Sequence, residues 1–201
     1  MQADPMTLVQ AVCARLCHDL GGPAGALGGA LELLDGVGDD ALDVARDAAR
    51  IMDRRLRFWR AAVAGTLGEL HEDGLPPLLE GLTLGRRATV STEALAFRAP
   101  LAPGFGQCLL LAAWAGIEAL PRGGVLRLAG EAEGGVTLLP DGPGAAWPHG
   151  LPAALTGEVP APEPRGVVVP LLLDAASRAG FGLSLLPAPP EGAPPLMLLP
   201  G

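Results

Sequence analysis

The chain has no lysine: all fourteen basic residues among its 201 are arginine. With 29 glycines, 21 prolines and much alanine, this composition reads as the coding bias of a GC-rich genome, which weakens any argument from a single Gly or Ala. Acids outnumber bases, and a formal charge of −8 leaves no sequence-wide basic footprint; nucleic acid and anionic membrane are thereby disfavoured as main partners. The opening MQADPMTLVQ has neither the basic segment nor the apolar core of a secretory leader. No run approaches the roughly 18 apolar residues that a bilayer-spanning helix needs. A cytoplasmic protein is expected. Cysteine is scarce as well: Cys13, Cys17 and Cys108 lack metal-ligand spacing and are expected to be buried or half-buried small hydrophobes in a reducing compartment. Two of them stand near His18, but no second ligand cluster accompanies them, so no metal is expected.

The most informative stretch is CARLCHDLGGPAGALGGALELL, residues 13–34. Leu16, Leu20, Pro23, Leu27, Leu31 and Leu34 fall within one stripe of a helix turning roughly 100° per residue, and His18 points to the opposite side. Ala14, Gly21, Gly22, Gly25 and Gly29 share the histidine's face. Nothing bulky surrounds the imidazole, so the expectation is a titratable nucleophile standing in water on a platform where another protein can dock.

Two long helices are expected first, at about 7–34 and 41–64, separated by the turn-forming DGVGDD of 35–40. So short a connection makes an antiparallel hairpin. The second helix places Ala45, Ala48, Met52, Leu56, Trp59 and Val63 on one side; its acids come early and its arginines (Arg50, Arg54, Arg55, Arg57, Arg60) late, as the helix dipole favours. Those arginines read as a solvated face. A lone hairpin leaves both apolar stripes uncovered, and two hairpins joined about a two-fold axis into a four-helix bundle would bury them.

Beyond residue 66 the pattern changes. A short helix (about 74–84), an extended segment (87–95) and a strongly apolar helix (103–120) come before a hairpin of strands (125–133 and 135–140). The Pro- and Gly-rich stretch 141–166 reads as loop. A last helix (168–179) and two strands (182–187 and 195–200) complete a two-layer α/β domain. The fold class is therefore α+β, with a helical hairpin over 1–66 and an α/β sandwich over 67–201. Trp114 and Trp147 are expected to pack in the sandwich, and His71 and His149 to have no role.

CHDLGGPAGAL resembles the H-box of sensor histidine kinases, in which an acid follows the His and a Pro stands five positions after it; His18, Asp19 and Pro23 match. That family carries its His on the first helix of a dimeric hairpin followed by an ATP-binding α/β sandwich, and this chain has the same order. The nucleotide boxes are damaged. In QCLLLAAWAGIEALPRGG (107–124), which looks like the N-box helix, Leu111 and Ala115 stand where magnesium- and nucleotide-holding Asn residues belong, and aliphatic side chains cannot hold a hard cation. PDGPGAA (140–146) looks like the adenine-reading box with Pro140 in place of its Asp, although Asp141 is one position away. GVVV (166–169) keeps Gly166 and puts Val168 where backbone must approach phosphate.

A kinase-like layout with an intact His and damaged nucleotide boxes is similar to the dimeric histidine phosphotransferases of the ChpT type. The resemblance implies a phosphorelay protein that passes phosphoryl groups between response-regulator receiver domains through a phosphohistidine at His18, with no ATP. Neutral imidazole is available near neutral pH and can attack a phospho-Asp. Magnesium is expected on the receiver, none on this chain. Asp19 is expected to orient the ring or take its proton; Ala14, Arg15, Gly22 and Gly25 are expected to meet the receiver. Two other readings stay open: an active kinase with a divergent ATP site, and a dimeric scaffold in which His18 is incidental.

Overall fold

In a computed structural model of the chain, the described residues are 4–34, 39–65, 68–96, 101–130, 134–158, 163–189 and 192–200. Helix α1 spans Pro5–Glu32. It starts where Asp4 accepts hydrogen bonds from the Thr7 backbone N–H at 3.1 Å and the Thr7 hydroxyl at 2.9 Å, with Pro5 at a first-turn position whose N–H is not needed. Helix α2 spans Asp39–Ala62, with Asp39 and Asp40 in its first turn and Arg60 in its last. The two helices lie against each other. Residues 35–38 of the expected turn lie outside the described residues.

The inward line of α1 differs from the expected leucine stripe. Ala11, Arg15, Asp19, Pro23 and Ala30 are buried, whereas Leu16, Leu20, Leu27 and Leu34 are half-buried and Leu31 is exposed. Alanines of α2 (Ala41, Ala45, Ala48) let the helices approach closely, and one inward-facing charge satisfies another. Of the expected stripe only Pro23 is buried, and Arg15 and Asp19, outside that stripe, face inward beside it. The same rotation puts Cys13 and Cys17 on the exposed side, contrary to expectation, while Cys108 is buried.

A short 3₁₀ turn (Glu72–Gly74) leads into α3, Leu75–Thr83, which packs on α2. Gly81 makes that contact possible: a Cβ there would stand 2.6 Å from Phe58 Cβ and overlap the Arg54 carbonyl. Strand β1 (Ala88–Ala94) is followed by α4 (Pro103–Glu118), β2 (Gly124–Gly130) and β3 (Val136–Asp141). Next come α5 (Gly150–Leu155), α6 (Val168–Ala179), β4 (Phe181–Leu185) and β5 (Leu196–Pro200). Helix α5 corrects the all-loop expectation for 141–166. It sits behind Trp147, whose indole N–H donates to the Pro194 carbonyl at 2.6 Å. Gly180 ends α6 in the left-handed conformation (φ 72°) that glycine adopts without strain.

The sheet order is β1-β2-β3-β5-β4, parallel only between β1 and β2. Leu128 pairs with Leu138 and Leu138 with Leu196, and with Leu126, Val136 and Leu198 they form a buried face against α4 and α6. Helix α4 is apolar on nearly every side because it is covered on nearly every side. The core is continuous across the molecule: Trp114 of α4 meets Phe58 edge-on at 6.0 Å and Trp59 at 5.0 Å between ring centres. No described helix is long and apolar enough to cross a membrane.

Candidate functional site around His18

The His18 side chain is 83% exposed, and its Nδ1 lies 3.3 Å from Oδ1 of Asp19. Asp19 is no solvated helix charge; it is 8% exposed. One turn earlier, Arg15 donates from Nε to the same Oδ1 at 3.0 Å. Its Nη1 lies 2.5 Å from Glu118 Oε1 and 3.5 Å from the Pro164 carbonyl, and its guanidinium rests over the Trp114 ring, 5.1 Å from the centre. Glu118 also accepts from the Trp114 indole N–H at 3.0 Å. Burial pushes the Glu118 carboxyl above its ordinary value, opposed by the charge and hydrogen bond of Arg15 and by the Trp114 bond.

The expected site residues therefore divide. Ala14, Gly22 and Gly25 are exposed with His18, and a Cβ added at either glycine would meet nothing within 4 Å. Arg15 does not belong with them. At 8% exposure it faces the sandwich, because its spacing from Asp19 puts both on the inward line of α1 and Glu118 and Trp114 wait there. Its contacts tie hairpin to sandwich, so it presents no surface for a receiver.

Arg55 is a site neighbour that the sequence reading assigns to a solvated face. Pro23 has no N–H, so the carbonyl four residues earlier, that of Asp19, loses its helical donor. Arg55 Nη1 donates to that carbonyl from α2. Other arginines of α2 pair at the surface: Arg54 with Glu80 at 3.1 Å, Arg57 with Asp53 at 2.9 Å, Arg50 with Asp47 at 3.5 Å. Arg55 instead is half-buried. Burial is the main cause lowering its pKa, with Arg86 and Arg15 adding to this and Asp19 opposing it. The clue was Pro23 itself, since a freed carbonyl in a buried helix needs a donor.

On the sandwich side, Leu111, Ala115 and Val168 are packed in the core, and Pro140 is buried opposite Leu126. A cleft of about 870 Å³ opens in the sandwich beside Arg15 of the hairpin, lined also by Arg86, Glu118, His149, Arg165 and Gly166. Acids and arginines both line it. Among the described residues no group of three or more His, Cys, Asp or Glu side chains is placed to hold a metal.

Comparison with known proteins bears on the fold and the family. A solved structure of a bacterial phosphotransferase superposes with a TM-score of 0.72 over 98% of this chain and 97% of its own, at 24% identity, a likeness of fold. The protein phosphotransferase ChpT of Brucella abortus (strain 2308) is 41% identical over 61 residues, 28% of this chain and 29% of that relative. The matched stretch thus spans less than a third of the relative's length. The family described as histidine phosphotransferase C-terminal domain matches residues 75–190, from α3 through the sandwich. With more than half of its length so matched, the chain belongs to the histidine phosphotransferase C-terminal domain family.

Proposed function

We propose that the chain relays phosphoryl groups between receiver domains through His18. The observation that carries this is an imidazole in water whose Nδ1 abuts a buried, Arg-held carboxylate. Asp19 favours the proton on Nδ1, which leaves the Nε2 lone pair facing solvent as the nucleophile. In the first transfer a bond forms from Nε2 to the phosphorus of a receiver's phospho-Asp, the acyl-phosphate P–O bond breaks, and the receiver's carboxylate leaves with the electron pair. The second transfer is the reverse on another receiver. Phosphoryl transfer depends chiefly on positioning and charge stabilisation, and magnesium on the receiver supplies part of the latter. Ala14, Gly22 and Gly25 give the receiver close access to the ring.

The half-buried Leu16, Leu20 and Leu27 and the exposed Met6, Val9, Leu31 and Val44 support a homodimer in which two hairpins form a four-helix bundle. Leu111, Ala115, Pro140 and Val168 support a chain that does not use ATP. We place the transfer unit in residues 1–66, the degenerate sandwich in 67–201, and the protein in the cytoplasm. Mixing the purified chain with a set of phosphorylated receivers tests the reading. Acid-labile phosphate is expected on the wild-type chain and none on His18→Ala of unchanged circular dichroism. Labelling of that variant overturns the assignment, and labelling from Mg-ATP alone revives a kinase.

A further inference from the structure

Pro23 leaves the Asp19 carbonyl without its helical donor one residue from His18. Asp19 is buried, so water does not readily replace the missing donor. Any neutral donor of the right reach would satisfy that carbonyl. The residue present is instead a guanidinium with its charge partly desolvated, whose Nε is buried with no hydrogen-bond partner among the described residues. It is crowded by the like charges of Arg15 and Arg86. A costly group kept where a cheaper one would satisfy packing asks for a reason beyond packing.

The reason lies in what the contact immobilises. The Asp19 carboxylate is held by Arg15 of its own helix, and its carbonyl by Arg55 of α2. With side chain and backbone both fixed, Oδ1 stays beside His18 Nδ1, and the turn of α1 that bears His18 is tied to α2 where proline has weakened it. We infer that Arg55 is a positioning residue for phosphoryl transfer: by holding the carbonyl that Pro23 frees, it fixes Asp19 against His18 Nδ1 and keeps Nε2 as the attacking nitrogen. Arg55 does not itself touch the phosphoryl group. This role rests on the reading of His18 as the phosphoacceptor.

The test uses the full chain with ¹⁵N-labelled imidazole and compares wild type with Arg55→Met, which removes the donor at similar length, and Arg55→Lys, which keeps a cationic donor. Long-range ¹H–¹⁵N correlation gives the tautomer of His18 without any phosphate donor, and transfer from a phosphorylated receiver gives kcat and KM. In wild type the Nδ1–H tautomer is expected to dominate. In Arg55→Met the ratio should move toward that of free imidazole and kcat should fall roughly ten- to hundredfold with KM for the receiver little changed; Arg55→Lys should restore most of both. A merely structural role would lower the melting temperature and leave the tautomer and kcat of the folded protein alone. An Arg55→Met protein with wild-type tautomer and wild-type kcat overturns the inference. If that variant does not fold, Arg55→Gln, whose shorter side chain withdraws the donor, is read in the same way. A wild-type chain that takes no phosphate from any receiver overturns the transfer reading instead, and the tautomer ratio then still decides whether Arg55 holds the ring.

Discussion

The hairpin and the sandwich divide the work of this molecule unequally. Along most of its described length the hairpin buries small apolar side chains, Ala11, Ala30, Ala41, Ala45 and Ala48, and large apolar ones at Phe58 and Trp59. The sandwich buries leucines on both layers and covers most of α4. Yet the exposed His18 and the buried charges beside it belong to the hairpin, while Leu111, Ala115 and Val168 of the sandwich are aliphatic core. One part supplies titratable groups with little packing of its own; the other supplies packing and, through Trp114 and Glu118, the surface on which those groups are set.

If that division is right, removing the joint should cost more than any change within one part. Trp114 is fully buried and touches Phe58, Trp59, Arg15 and Glu118, so Trp114→Ala should destabilise by about 3–5 kcal/mol in urea unfolding followed by circular dichroism. A loss under about 1 kcal/mol, small for a buried aromatic, would mean that hairpin and sandwich stand independently.

Cysteine chemistry sharpens the contrast. Burial pushes the Cys108 thiol up to about 11 from 9.0, whereas Cys13 and Cys17 are exposed. In native protein at pH 8 an aromatic disulfide reagent should modify two thiols quickly and the third only on unfolding. Because folding raises this pKa, the stability gained by keeping Cys108 neutral is full below pH 9.0 and is lost as pH rises through about 11. Cys108→Ala should therefore flatten the alkaline fall in melting temperature. Rapid modification of all three thiols would show the sandwich to be as open as the hairpin.

The smallest effect on stability, with the most specific effect on transfer, is expected at the bare face. Gly22→Gln and Gly25→Gln meet open space and should stabilise α1 by a few tenths of a kcal/mol up to about 0.8 each, seen as a raised melting temperature. Transfer to and from receivers should slow. Full transfer rates in both variants would make these glycines a matter of composition.

Much of the fold was legible because local signals and tertiary demands agree. Pro76, Pro103 and Pro170 stand in the first turns of helices found where expected, and the alternation of Leu126, Leu128, Val136 and Leu138 marks the strands; Asp4 and Pro5 start α1 two residues before the expected 7. His18 is exposed as expected, although the inward line of α1 is not the leucine stripe on which that expectation rests. What escaped depends on long-range partners. Arg15 and Asp19 look like surface charges until Glu118 and Trp114 are placed beside them; Cys13 and Cys17 follow the same rotation of α1. Arg55 is indistinguishable from its surface neighbours until the carbonyl it serves is known. Helix α5 is hidden because GLPAAL is too short for its periodicity to stand out among prolines and glycines.

The Arg15 guanidinium also bears on the order of events as the chain folds. Its contact with the Pro164 carbonyl closes a loop of 149 residues, while α1 and α2 are neighbours in sequence. The hairpin can zip locally and early, but closing so long a loop awaits a sandwich already assembled at its far end. Until then Arg15 lacks Glu118 and Trp114, and the carboxylate beside the imidazole is held from within the hairpin alone. The surroundings of His18 are thus begun early in the chain and completed late in folding.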